Sequence, residues 1–189
     1  MRITKVELYD KYYSTYPQPA NLYKEDKEMP NHCYNRVTIY NGSDSDDSRA
    51  QIAKLKAIFE DEKVFGQIIP EPDWANTPLL SSDNHYGSKY GNDGELPILQ
   101  TDSYGDCLRF QSTGIADQRW YDWRVQNWDT KWDAYDLTVE DEDPDQLEVT
   151  FNTAWSPPDA ICHKIREDYP DLSVSWFYDE PGCEIAGYL

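Results

Sequence analysis

The 189-residue sequence lacks the features that would place it in a membrane or a secretory pathway. No apolar run approaches the roughly 18 residues that a membrane-spanning helix needs, and no apolar stretch follows the N-terminus as in a signal peptide. The four cysteines are scattered, with no CxxC pair and no Cys/His spacing typical of zinc sites. These absences favour a cytoplasmic protein with reduced thiols and without a membrane partner, metal or cofactor.

Signatures of catalysis are also missing. The three histidines, His32, His85 and His163, have no spacing that suits a nucleophilic triad, and neither a nucleophile elbow nor a glycine-rich phosphate loop occurs. The acidic run 141–145 has carboxylates that a hard cation would accept, but it lacks the EF-hand glycine and contains Pro144. The sequence therefore favours a non-enzymatic role, and we assign no catalytic residue.

Positive charge is scarce. The chain has 17 basic and 36 acidic residues, a formal net charge of −19. Residues 1–66 hold 10 basic and 11 acidic groups, whereas residues 67–189 hold 7 basic and 25 acidic groups. Such a surface repels phosphate backbones, which disfavours direct nucleic-acid binding, and it attracts basic protein surfaces. The plainer interpretation is that the charge only keeps the protein in solution.

Composition divides the chain into three regions. Residues 1–28 form an extension in which five tyrosines interleave with prolines; its docking partner is the chain's own domain or a second protein. Residues 29–189 form the domain, interrupted at about 66–115 by a loop-rich insertion punctuated by proline and glycine. Weak strand signals lie within the insertion at 98–99 and 107–110.

Hydrophobic periodicity in the domain predicts an order of strands and helices. Helical spacing predicts one helix capped by Ser48, one over 115–128 and one capped by Ser156. Alternation of apolar and polar residues predicts strands at 36–40, 134–140, 147–153, 172–178 and 184–188. This order predicts a ferredoxin-like βαββαβ sandwich, an α+β fold in which helices cover one face of an antiparallel sheet.

Five motifs, in order along the chain, resemble a known family. They are MPNHCYNRVTIY at 29–40, FGQIIPEP at 65–72, NWDTKWDAYD at 127–136, FNTAWSPP at 151–158 and YDEPGCEIAG at 178–187. They are similar to the phage- and plasmid-encoded proteins with the YubB-type ferredoxin-like domain. The resemblance implies that fold and a mobile-element origin, and it implies no known activity. His32 and Asp129 replace the family's usual Trp and Gly, so the resemblance supports no catalytic role for His32.

Tryptophans are concentrated in these motifs, and they have two interpretations. The plainer one is that they pack the core. The alternative is a pocket that binds a small ligand or carries out catalysis. Its predicted lining is Asn127, Trp128, Lys131, Trp132, Trp155 and Tyr178.

We adopt the interpretation that the chain is a non-enzymatic, acidic interaction protein. Its acidic face is predicted to bind a basic, nucleic-acid-handling host protein in the host cytoplasm, as a nucleic-acid mimic or an inhibitor of host defence. A further hypothesis is a homo-oligomer joined through sheet edges or through the tyrosine-rich extension. The acidic face is predicted to comprise Asp117, Asp122, Asp129, Asp133, Asp136, Glu140, Asp141, Glu142, Asp143, Asp145 and Glu148.

Overall fold

A computed structural model describes residues 31–42, 45–83, 90–102, 105–140 and 143–189. The predicted docking of the tyrosine-rich extension falls outside these residues, as do Asp141 and Glu142. The strands are β1 His32–Asn41, β2 Ile98–Asp102, β3 Gly105–Arg109, β4 Tyr135–Glu140, β5 Gln146–Ala154, β6 Leu172–Glu180 and β7 Ile185–Tyr188. The α-helices are α1 Asp46–Phe59, α2 Val64–Ile68, α3 Arg119–Asn127 and α4 Asp159–Asp168.

An antiparallel sheet with strand order β4-β5-β1-β6-β7 organises the described part of the domain. Strand β1 is central and pairs with both β5 and β6, so that Val37 lies opposite Val149 on one side and Trp176 on the other. Residues directly opposite in an antiparallel pair project to the same face. These three side chains are fully buried and form the middle of the core.

Helices α1 and α4 cover the face of the sheet to which those side chains project. The predicted inward stripe of α1, Ile52, Leu55 and Phe59, is buried in the same core cluster. Ile161 and Ile165 of α4 are buried in the same cluster. Aromatic rings fill the centre, where Phe151 meets Trp176 edge to face with 5.7 Å between ring centroids.

This order of strands and helices confirms the predicted ferredoxin-like α+β sandwich. Strands β1, β4, β5 and β6 with helices α1 and α4 form the βαββαβ unit. Strand β7 extends the sheet beside β6, and its predicted position at the end of the chain is correct. Both weak strand signals in the insertion also correspond to strands, because β2 and β3 pair as a separate two-stranded sheet.

One arginine fastens the insertion to the start of α3. The Arg119 guanidinium lies over the rings of Trp74 and Phe110, 5.1 and 5.4 Å from their centroids. It forms a buried ion pair with Asp117 at 2.7 Å. It also donates to the carbonyl oxygen of Thr77 at 2.9 Å. The guanidinium and its ion pair with Asp117 are buried together, and these contacts satisfy the buried charge.

Three predicted helix starts are wrong. Helix α1 begins at Asp46, and Ser45 caps it by accepting a hydrogen bond from the Ser48 backbone N–H at 3.1 Å. Helix α3 begins only at Arg119 because Ala116 forms a β-bridge with Arg109. Helix α4 begins at Asp159, three residues after the predicted cap Ser156. The starts of α3 and α4 depend on contacts that the local pattern does not reveal, whereas at α1 a second serine three residues earlier is the cap.

A distant residue takes over the role predicted for Ser156. The carboxylate of Asp129 accepts a hydrogen bond from the backbone N–H of Ala160 at 2.9 Å, in the first turn of α4. The hydroxyl of Ser156 instead donates to the backbone carbonyl of Asp129. Helix α4 is therefore capped across the fold. None of the helices that the structure describes is both long and apolar enough to span a bilayer.

Candidate functional site

One face of the sheet is turned away from the described helices. Along β1 every second side chain is buried beneath the helices, whereas Tyr34 and Tyr40 on the opposite face are 42% and 44% exposed. We call this side the open face. Its side chains from β1, β4, β5 and β6 include Tyr34, Arg36, Thr38, Tyr40, Thr138, Glu140, Glu148, Thr150, Asn152 and Phe177.

An acidic corner, formed by Glu140, Asp143 and Glu148, occupies the β4–β5 end of the open face. Glu140 lies directly opposite Glu148 in the antiparallel register. Like charges in this arrangement destabilise a strand pair. Within the described part of the chain no ion pair includes either carboxylate. Exposed Asp143 follows in the connection between the strands.

Three of the predicted acidic residues have structural contacts instead. Asp117 is buried in its pair with Arg119. Asp129 caps α4. Asp133 accepts hydrogen bonds from the backbone N–H groups of Phe65 at the start of α2 and of Ala134, both at 2.8 Å. Burial raises the pKa of the Asp133 carboxyl above its ordinary value. The sequence shows how many carboxylates there are, but not which of them fold inward.

The remaining predicted acids are spread over the surface. Asp145 pairs with Arg49 at 2.8 Å and accepts from Asn41 at 2.8 Å. Hydrogen bonds from Asn41 and Arg49 hold the pKa of Asp145 below its ordinary value. Asp136 is exposed and accepts from the Asn152 amide at 3.2 Å, whereas Asp122 is half-buried in α3. Three of the predicted acids that the structure describes, Glu140, Asp143 and Glu148, make up the acidic corner, while other exposed acids such as Glu62 and Glu167 lie elsewhere.

Half of the predicted pocket residues form a compact cluster near the opposite end of the sheet. The Lys131 ammonium lies between two indole rings, 4.3 Å from the centroid of Trp132 and 4.7 Å from that of Trp155. The rings are 37% and 44% exposed. Trp155 also has a φ of 73°, which is strained for a bulky residue. We call these three residues the Trp–Lys–Trp cluster.

The other predicted pocket residues lie elsewhere. Trp128 is in the core, where its ring meets Phe65 and its indole N–H donates to the Ile69 carbonyl at 3.0 Å. The Asn127 amide donates back to the Trp123 carbonyl. Tyr178 projects to the helical side of the sheet, opposite Asn35 in the register. The six residues therefore do not converge on one pocket, since packing of Trp128 in the core separates them.

An open cavity lies instead on α4. It is lined by Ile69, Ala160, His163, Lys164, Arg166 and Glu167, and it shares no residue with the predicted pocket. Burial raises the pKa of the thiols of Cys33 to about 12 and of Cys162 to about 11, which disfavours a thiolate nucleophile at neutral pH. No group of three or more His, Cys, Asp or Glu residues suited to a metal occurs in the described ranges.

The tyrosines of the open face were not predicted from the sequence. The predicted first strand began at Arg36, whereas β1 begins at His32 and includes Tyr34. In the sequence the alternation of apolar and polar residues is interrupted at Asn35, a polar residue that the structure buries. The regular alternation of burial along β1 is therefore visible only in the structure.

The fold defines the class as a ferredoxin-like α+β domain. Residues 127–189, which include β4 to β7, match the family model described as the ferredoxin-like domain in Api92-like protein. The chain is also similar to the crystal structure of a protein api92 from Yersinia pseudotuberculosis, with 10% sequence identity and a TM-score of 0.41. That match covers 85% of this chain and 93% of that chain. No curated protein matches the sequence.

Proposed function

We propose that this chain is a non-enzymatic interaction protein whose acidic corner binds a basic surface of another protein. The observation that carries the proposal is the direct opposition of Glu140 and Glu148 on the open face. Such a pair is unfavourable for folding. A basic partner would relieve the repulsion between them on binding. The pair therefore disfavours folding but favours association.

The partner that fits this surface is a protein that itself handles nucleic acid. Carboxylates fixed on a rigid sheet can occupy positions that otherwise receive phosphates, and the net charge of −19 steers basic surfaces toward them. The sequence motifs resemble phage- and plasmid-encoded proteins, which supports a mobile-element origin and a role in the host cytoplasm. In that setting the chain acts as a nucleic-acid mimic or as an inhibitor of host defence.

The proposal is tested by capturing partners from a bacterial lysate with the tagged full-length chain and then measuring affinity for the captured protein. The informative variant is Glu140→Gln with Glu148→Gln. Its matched control is Glu62→Gln with Glu167→Gln, two exposed acids away from the open face. We expect a basic partner whose affinity falls steeply with salt and falls further in the first variant than in the control. Binding that is insensitive to salt, or equal in both variants, would contradict the proposal.

A second candidate function is the binding of a small ligand, or catalysis upon it, at the Trp–Lys–Trp cluster. The strained backbone of Trp155, which holds an exposed indole, favours it. Screening metabolites for thermal stabilisation of the full chain tests this function, because a ligand that binds only the folded state raises Tm. A hit whose effect is lost in Trp155→Ala would support the cluster as its site.

A further inference from the structure

We infer that the open face recognises an extended, arginine-bearing segment of its basic partner, with guanidinium groups stacked on Tyr34 and Tyr40, and with the arginine at Tyr40 paired with Glu148 of the acidic corner. This inference rests on the proposed function. The inference specifies that the partner's side chain is arginine in preference to lysine. It also specifies that the open face discriminates between the two.

The geometry places rings beside carboxylates. Tyr34 and Tyr40 project from the same face of β1 and are six residues apart, which corresponds to about 20 Å along a strand. Between them, Thr38 lies opposite Glu148, and Glu148 lies opposite Glu140. The two acids thus extend sideways from the row of tyrosines, with neighbouring strands about 4.8 Å apart. One planar side chain can cover Tyr40 and reach Glu148.

The same side of the sheet already holds one of the chain's own cations on a ring. The Arg36 guanidinium lies 5.9 Å from the centroid of Phe177. This contact draws Arg36 toward β6 and away from the carboxylates on β4 and β5. This face therefore already contains an arginine stacked on an aromatic ring. Because Arg36 is held at Phe177, the charge of the acidic corner is available to a partner.

Arginine suits this surface better than lysine for a geometric reason. A guanidinium is planar, so that it can stack on a tyrosine ring and still direct paired N–H groups at a carboxylate in the same plane. The lysine ammonium is a compact and strongly hydrated point charge, and it loses more hydration when it lies over a ring. Stacking on the two tyrosine rings corresponds to an affinity difference on the order of tenfold.

The test uses two fluorescent peptides of equal length and charge, one alternating arginine with serine and the other lysine with serine. Alternation directs every charged side chain of an extended peptide to one face. Binding to the full chain is followed by fluorescence anisotropy at low salt. The informative variant is Tyr34→Ala with Tyr40→Ala. Tyr188→Ala is the matched control, since this exposed tyrosine packs against Phe177 on the same face but lies on β7, three strands away from the acidic residues of β5.

We expect the unmodified chain and Tyr188→Ala to prefer the arginine peptide by about tenfold. The double tyrosine variant should bind both peptides with similar, weaker affinity. Equal affinity for the two peptides in the unmodified chain, or a preference that survives loss of both tyrosines, would overturn the inference and leave the proposed function standing. If neither peptide bound, or if Glu140→Gln with Glu148→Gln bound both as well as the unmodified chain, the proposed function would fail as well.

Two other occupants of the open face would also overturn the inference. A second copy of the chain would appear as a dimer in light scattering that Tyr34→Ala with Tyr40→Ala dissociates. Nucleic acid would appear as a labelled single strand that binds the chain in the absence of any peptide. Because both tyrosines are exposed and lie outside the core cluster, their replacement is expected to preserve the fold, which circular dichroism checks.

Discussion

Asp129 has a φ of 65°, in the left-handed region that favours glycine, and its carboxylate caps α4. Glycine would relieve the backbone strain here but would provide no carboxylate, whereas aspartate tolerates the conformation and closes the helix end.

The balance at Asp129 is measurable. Asp129→Ala should destabilise the protein by about 2 kcal/mol, because it removes the cap and places an ordinary side chain at positive φ. Asp129→Gly removes the cap but relieves the strain, so its cost should be about 1 kcal/mol smaller. Urea unfolding of both variants tests this, with Asp129→Asn as a control that keeps an acceptor. Equal losses for Ala and Gly would show that strain at this position is negligible.

Cys183 is exposed, yet a hydrogen bond to the buried Glu180 carboxylate raises the pKa of its thiol to about 11. A thiol that is protonated at neutral pH reacts slowly. We expect Glu180→Gln to lower this pKa toward its ordinary value of 9.0. Alkylation of Cys183 by iodoacetamide at pH 8 should then accelerate roughly tenfold. Peptide mass spectrometry reads each site, and the buried Cys33 and Cys162 provide internal controls that should remain protected.

At the scale of strands and helices, periodicity was sufficient to predict most of the fold. The alternation of Leu147, Val149 and Phe151 places β5 correctly because a half-buried strand must bury every second residue. The helix starts could not be predicted in the same way. The cap of α4 comes from Asp129, whose distance from Ala160 along the chain hides it from any local pattern. The six residues predicted to line a pocket do not all lie together. Trp128 and Trp132 are four residues apart, but the first is buried and the second is exposed, which their spacing does not reveal.

Buried Arg119 is one of the contacts that hold the insertion against α3. Replacing Arg119 by alanine should leave Asp117 as an unpaired buried charge, which costs about 3–5 kcal/mol when a buried pair is broken on one side. We expect faster amide hydrogen exchange across residues 74–83 and 105–117, with β1 and β5 still protected. The double variant Asp117→Ala with Arg119→Ala removes both charges and should recover part of the lost protection. Uniform loss of protection would mean that the insertion and the sheet unfold together.

The contact between Asp145 and Arg49 ties the β4–β5 connection to α1. The pKa of Asp145 is held below its ordinary value of 3.8, so the ionised form is favoured in the folded state. Its contribution to stability is therefore complete above that value and is lost as the pH falls through the lowered pKa. Asp145→Asn should be less stable than the unmodified chain at pH 7, and the difference should shrink below pH 3.8. Denaturation at several pH values measures it, and a pH-independent difference would contradict the assignment.

For the molecule as a whole, the distribution of negative charge matters more than its sum. Several acids make contacts within the fold. Asp117 forms an ion pair with Arg119, Asp129 caps α4 and Asp133 caps α2. The hydrogen bonds of these groups stabilise the native state, although burial of the Asp133 carboxyl, which raises its pKa, offsets part of that gain. The acidic corner does the reverse, because Glu140 and Glu148 face each other at the edge of the sheet. A protein selected only for stability would gain by separating them, so the proposed binding role rests on this pair rather than on the net charge.

This opposition between stability and binding leads to the last prediction. Glu140→Gln with Glu148→Gln should raise the free energy of unfolding by about 0.5 kcal/mol through removal of the cross-strand repulsion, while weakening the interaction with a basic partner. Glu62→Gln with Glu167→Gln changes the net charge equally on exposed sites away from the open face, so the difference between the two variants isolates the local effect. Salt screens repulsion between exposed charges; the stability gain should therefore shrink as salt rises from low to near-molar concentration. Urea unfolding at both salt concentrations measures this. A variant that is less stable than its control, or a gain that ignores salt, would mean that the facing carboxylates stabilise the strand pair, and the case for a functional acidic corner would lose its physical basis.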